Sequence, residues 1–488
     1  ASPPEGALVR AAYREAELAP SQMDFVECHA TGTPTGDPVE VASLKSLWGE
    51  RGWTPGQCGL GSVKSNVGHM LTAAGSAGLM KVLLALEKRQ LPPTANFATP
   101  NPAAGFDGSP FRVVSALEPW ERRDERTPRR AALSGFGFGG INAHLIVEEA
   151  PEKSAPRSCA PIAAPPVAIV GMDARFGALK GLRPYQEAVL GGVAQEPSYA
   201  EDRWLGVDAP AAFKGRFLKD VGADAATLRI PPKEMEEMLP QQHLALQTAA
   251  AAIADSKLSE EGRDRVGVFL GVAFDLAITQ YDFRWSAEPG ARDAVGPALT
   301  ANRVMGGLAS VAASRVAREF RLGGPSFTVS AEENSGLKAV EAAVRALQRG
   351  EVDAALAAAA DACGDARALA AAHAAKPFTP SGVARPFDAG ADGASPGEGA
   401  ACVVLKRLDD ALAEKKALEK AKQDELERTQ RHYEDLAAGL KAEIQAGEIK
   451  LTELKGKLTV NMVDRILFDS GESTVTPDGR KVLNNIAK

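Results

Sequence analysis

The chain has 488 residues, 45% of them apolar and 24% charged, and its formal net charge is −7. That length supports two or three domains with sizeable cores, and the acidic balance gives no footing for nucleic acid. No apolar run approaches the roughly 18 residues of a membrane span, so none is expected.

Residues 1–150 mix amphipathic segments with glycine-rich turns. Ala7–Glu17 predicts a helix, and Val113–Ala116 and Ala143–Glu149 predict strands. Glu27-Cys-His-Ala-Thr-Gly-Thr-Pro-Thr-Gly-Asp-Pro-Val-Glu40 puts His29 in a tight polar turn behind a short buried strand, Phe25–Glu27. Lys64-Ser-Asn-Val-Gly-His69 brings a second histidine, which is expected to open a helix packed by Leu71, Ala74, Leu79 and Leu83. Gly135-Phe-Gly-Phe-Gly-Gly140 then precedes the last strand. This loop has the look of a nucleotide loop, but no acidic residue follows about 20 positions on. Instead the chain enters a Pro/Ala linker of extended character, residues 151–165.

Residues 166–408 alternate strand and helix signals. Val167–Val170, Val266–Val272, Phe327–Ser330 and Ala401–Leu405 read as strands, and Leu239–Ala254 and Leu337–Arg349 as helices. That rhythm predicts an α/β fold with a sheet covered on both faces. Residues 409–457 are rich in Glu, Lys, Ala and Leu, with Tyr433, Leu436, Leu440 and Ile444 at helical spacing. They predict a long exposed helix or a coiled coil. Residues 458–488 form a short αβ fragment. The five cysteines (28, 58, 159, 363, 402) form no CxxC pair and no metal spacing. They fit reduced thiols in the cytoplasm, with Cys363 and Cys402 as small buried residues and no metal or bound cofactor.

The three strings of residues 1–150 resemble the C-terminal half of a β-ketoacyl synthase of the polyketide and fatty-acid type. Residues 166–408 resemble the N-terminal half, through Val167-Ala-Ile-Val-Gly-Met172, Met238-Leu-Pro-Gln-Gln-His243, Val266-Gly-Val-Phe-Leu-Gly271 and Arg385-Pro-Phe-Asp388. The halves therefore stand in reversed order. The resemblance implies a thiolase-like fold of two βαβαβαββ halves. Each half alone would expose a large apolar sheet face, so the two are expected to pair as a circularly permuted fold. Residues 458–488 resemble the opening of an OmpA-like peptidoglycan-binding domain, too short to close a binding site.

The family's reaction is a decarboxylating Claisen condensation. A thiolate accepts the growing acyl chain, and a histidine pair stabilises the enolate formed from malonyl thioester. By resemblance the pair is His29 and His69, with Lys64 in the supporting polar network and Phe138 as gate of the acyl cavity. Active members carry the nucleophilic cysteine where Gly324-Pro-Ser-Phe-Thr-Val-Ser-Ala-Glu-Glu-Asn-Ser-Gly-Leu337 has Glu333. A carboxylate cannot replace the thiolate as acyl acceptor. The stretch resembles the chain-length-factor domain of polyunsaturated-fatty-acid synthases. Two readings stay open: an acyltransferase for carbon-chain extension, incomplete in this chain, or a non-catalytic chain-length-factor-like scaffold. The implied partners are acyl carrier protein, whose phosphopantetheine arm delivers the substrate, and a ketosynthase-type dimer partner. A cell-envelope anchor rests on residues 458–488 alone.

Overall fold

The computed structural model describes residues 3–137, 142–150, 164–200, 213–219, 221–222, 228–273, 287–292, 298, 300–386, 388–439, 449–454, 457–462 and 474–486. The chain divides into two compact units, Ala1–Lys406 and Arg407–Lys488.

Within the first unit, residues 3–150 form one layered body. Its helices are α1 (Pro3–Glu15), α2 (Gly36–Trp48), α3 (Lys64–Val67) and α4 (Ala74–Lys88). Its strands are β1 (Phe25–Glu27), β2 (Cys58–Gly61), β3 (Gln90–Leu91), β4 (Phe111–Val113), β5 (Glu118–Pro119), β6 (Arg130–Phe136) and β7 (Asn142–Glu148). Five strands make a mixed sheet in the order β4-β2-β1-β6-β7, parallel except for the β6–β7 pair, and β3 and β5 form a small antiparallel pair. Strand alternation sorts the side chains. Val26, Leu60 and Ala132 pack with Val9, Tyr13, Leu44 and Trp48 of α1 and α2. Phe25 and Ala131 pack with Val82 and Ala85 of α4.

Residues 164–406 repeat the plan. Strands β8 (Val167–Phe176), β9 (Leu179–Lys180), β10 (Val266–Val272), β11 (Ser326–Val329), β12 (Ala354–Asp361) and β13 (Gly399–Arg407) form a sheet in the order β11-β10-β12-β13-β8-β9. The helices are α5 (Leu182–Leu190), α6 (Pro232–Glu236), α7 (Pro240–Ser256), α8 (Ala301–Gly307), α9 (Ala309–Glu319), α10 (Ser335–Gln348) and α11 (Ala366–Ala375). β10 is buried along its whole length, as an apolar run in a central parallel strand predicts. Val266, Val268 and Leu270 face α7 and α9, whereas Phe269 faces Ala339, Ala343 and Leu347 of α10.

Each half thus covers both faces of its sheet with its own helices. Among the described residues, every buried apolar cluster draws on one half alone. The helices on those faces still expose Met80, Leu83 and Leu84 on α4 and Leu337 on α10. Cys402 is buried as expected, but Cys363 is partly exposed, with its thiol directed at the Gly397 carbonyl.

The second unit holds α12 (Leu408–Gly439), the antiparallel strands β14 (Ile449–Leu454) and β15 (Lys457–Met462), and α13 (Pro477–Ile486). On α12, Leu412, Leu418 and Leu426 are exposed. Leu440, Ile444 and Cys159 lie outside the described residues. Among the described residues no helix is long and apolar enough to cross a membrane.

Candidate functional site

The polar centre of the first half is assembled by three segments that meet at strand ends. β1 delivers His29 two residues beyond its last residue, Glu27. β2 runs into α3, which opens on Lys64 and is closed by Gly68 at φ +77°, a left-handed value that glycine adopts without steric cost. His69 follows at once, and a short 3-10 turn at Leu71–Ala73 leads into α4. The helix therefore starts later than the sequence suggests, at Ala74. Ala74, Gly78, Val82 and Ala85 form its buried face, whereas Leu71 and Leu83 are exposed at 70% and 44%. Small residues decide this: at Gly78 a Cβ would stand 2.6 Å from Leu133 Cδ1 and 3.1 Å from Glu27 Cγ. The backbone of α4 lies too close to β1 and β6 for large side chains on that face.

The two imidazoles meet edge to face, ring centroids 5.4 Å apart at an interplanar angle of 82°. His29 Nδ1 accepts the Phe136 N–H at 3.2 Å, and His69 Nδ1 accepts the Leu71 N–H at 3.3 Å. An imidazole whose Nδ1 accepts carries its proton on Nε2 when neutral. The pair thus presents two Nε2–H donors. Burial pushes the His29 imidazole down to about 4, reinforced by Lys64 and then by His69. His29 is neutral at physiological pH, the state in which it can donate without carrying charge.

Two buried acidic side chains bind these segments. Glu40, buried on α2, accepts the N–H of His29 and of Ala30, each at 2.8 Å. Burial raises Glu40 to about 7, against the pull of those N–H groups and of Lys64. Glu27 binds Lys81 of α4 at 2.8 Å and accepts the Val63 N–H at 2.6 Å. Lys64 is half-buried and held below the usual lysine range by desolvation, with Glu27 and Glu40 opposing. Motif reasoning does not single out Glu27, Glu40 and Lys81. A signal was available: a lone acid closes the apolar strand Phe25–Glu27, and a lone base sits within Gly78-Leu-Met-Lys-Val-Leu-Leu84.

Phe138 lies outside the described residues. The ring against His29 is that of Phe136, with centroids 5.6 Å apart. Glu333 stands in a short turn, Glu332–Asn334, between β11 and α10, and is exposed. Among the described residues, His29, His69 and Lys64 take their hydrogen-bond, ring and charge partners from residues 27–136. Glu333 is not one of those partners. Among the described residues no cluster of His, Cys, Asp and Glu is arranged to hold a metal ion.

Comparison with known proteins places both halves. Residues 164–411 match the family model "Beta-ketoacyl synthase, N-terminal domain", and residues 3–98 match "Beta-ketoacyl synthase, C-terminal domain". A polyunsaturated fatty acid synthase polypeptide of Thraustochytrium sp. is 35% identical over 438 residues, 83% of this chain and 21% of that protein. The polyketide synthase PksL of Bacillus subtilis is 46% identical over 147 residues, 30% of this chain and 3% of that protein. Among solved structures, "PfaC Keto synthase-Chain length factor" aligns with a TM-score of 0.67 and 29% identity, covering 83% of this chain and 46% of that one. The chain thus spans about a fifth of the first relative and under half of the solved structure. One alignment passing through both halves means that their succession needs no circular permutation: the relative has it too.

Proposed function

Because this chain belongs to the β-ketoacyl synthase family, we propose that its first half performs the enolate-forming part of carbon-chain extension in fatty-acid or polyketide synthesis. The single observation carrying this is the histidine pair, rings 5.4 Å apart, with both Nδ1 atoms tied to backbone N–H groups. A malonyl thioester whose carbonyl oxygen receives both Nε2–H donors loses carbon dioxide to leave an enolate. The negative charge building on that oxygen is what the donors stabilise. The Lys64 side chain, half-buried and under the influence of Glu27 and Glu40, supports the polarity of the site. The substrate is a malonyl group on the phosphopantetheine arm of acyl carrier protein. The chain binds no cofactor of its own and works in the cytoplasm, with a ketosynthase-type partner.

A second reading is favoured by Glu333. Its exposed carboxylate stands where an acyl-accepting thiolate is needed, so residues 166–408 act as a chain-length-factor-like body that shapes and binds without condensing. Release of labelled carbon dioxide from malonyl-carrier protein tests the first reading. Wild type is expected to release it, and His29→Ala and His69→Ala each to lose roughly 10²–10³ in rate. Equal release by wild type and the double histidine variant leaves only the scaffold reading.

A further inference from the structure

The enolate chemistry makes no use of the Glu27–Lys81 pair, although it is among the most buried charges in the first half. The side chains are 1% and 9% exposed, and Nζ lies 2.8 Å from Oε2. Burying two charges costs several kcal/mol per ion after relaxation, and an apolar pair of equal volume commonly stabilises as well or better. Stability is therefore a poor reason for this pair, and geometry is a better one.

Glu27 touches all three segments that carry the functional side chains. It is the last residue of β1, two positions before His29. Its Oε1 accepts the N–H of Val63, the residue before Lys64, at 2.6 Å. Its Oε2 holds Lys81 on α4, the helix that follows His69. Space is reserved for the pair: a Cβ at Gly61 would stand 2.9 Å from Lys81 Nζ, and one at Gly78 would stand 3.1 Å from Glu27 Cγ. Lys81 Nζ also lies 5.3 Å from the centre of the Phe25 ring, a cation–π contact that helps to seat the ammonium.

We propose that Glu27 is a positioning residue: its carboxylate, anchored by Lys81, fixes the segments bearing His29, Lys64 and His69 in the mutual placement that makes the histidine pair. The kinetic consequence rests on the enolate-forming function proposed above, whereas the geometric consequence does not.

The full chain is tested as wild type, Glu27→Gln, and the double variant Glu27→Met/Lys81→Met. The double variant replaces the ion pair by apolar groups of similar size, so its fold is expected to survive by thermal melting. Two signals are read. The first is the contact between the two imidazoles, seen as a cross-relaxation peak in NMR of histidine-labelled protein. The second is release of labelled carbon dioxide from malonyl-carrier protein, resolved into kcat and KM. Glu27→Gln keeps an oxygen for the Val63 N–H but loses its hold on Lys81, and is expected to weaken the imidazole contact. The double variant is expected to lose it and to show kcat lowered at least tenfold with KM little changed. A double variant that melts like wild type and keeps both the contact and kcat overturns the proposal. If Glu27→Gln unfolds, the double variant alone decides. If wild type releases no carbon dioxide, the enolate-forming function fails, and the imidazole contact still decides the role of Glu27.

Discussion

Two turns in this molecule make the same backbone move, from a strand end into a helix, and are held in opposite ways. Behind β2, the turn into α3 is gripped by buried acidic side chains: Glu27 binds Val63 and Lys81, and Glu40 binds the neighbouring loop at His29 and Ala30. Behind β11, the turn into α10 is held by one serine. Ser335 Oγ accepts the Ala331 N–H at 2.9 Å and donates to the Glu332 carbonyl at 2.6 Å, while Glu332 and Glu333 face outward. Buried carboxylates are costly to keep, so they mark where side-chain placement is specified. Among the described residues, the second turn rests on hydroxyl and backbone hydrogen bonds rather than on buried acidic side chains.

The sharpest way to break this contrast is an elongation assay. With an acyl primer and malonyl-carrier protein, the chain alone is expected to yield no 3-ketoacyl product, because the position that needs a thiolate holds Glu333. Product detected without an added ketosynthase would erase the distinction between the two turns.

Packing offers a graded test. A Cβ at Gly271 would lie 2.5 Å from the Ser335 carbonyl carbon and 2.6 Å from the Gly336 nitrogen, both backbone atoms. The atoms facing Gly78 belong to side chains, which can give way. Overpacking typically costs about 1–3 kcal/mol. Gly271→Ala is expected at or above the top of that range and Gly78→Ala in its lower part, as measured by chemical denaturation. The reverse order would show that the first turn is the more rigid.

Acid should separate the turns next. His29 and His144 are both pushed down by burial to about 4 in the folded chain, against an ordinary 6.5. Between those values the unfolded chain binds more protons than the folded one, so these groups withdraw stability as pH falls from 6.5 towards 4. Glu40, raised to about 7, acts in the opposite sense: its burial favours the folded state at low pH and disfavours it as pH rises through 7. His144→Phe removes one of the groups that withdraw stability, so the loss of denaturant midpoint on acidification below 6.5 is expected to be smaller in the variant than in wild type. An imidazole titration placing His29 near 6.5 would contradict the buried, neutral state of His29.

The smallest effect is expected at the second turn. Glu333→Gln should change carbon dioxide release by less than about twofold, since Glu333 is not among the partners of the histidines. A larger change would place that carboxylate at the working site.

The sequence by itself determined the family and the succession of the two halves, and it put forward His29, His69, Lys64 and Glu333 as the residues to look for. Chemistry of this kind needs particular side chains in short strings, and strings survive without a fold. It also located the strand Val266–Val272, because a fully buried strand is an unbroken apolar run. It misjudged the helix after His69, since Leu71 and Leu83 look like core residues in a linear pattern. Only the tertiary structure showed that the close approach of β1 and β6 reserves that face for Ala74, Gly78, Val82 and Ala85. Likewise only the fold brings Glu27, Val63 and Lys81 together, because a contact across 54 positions leaves no periodic trace. Whether each sheet found its cover within its own half was also a matter of packing: periodicity says which face is apolar, not which helix lies on it.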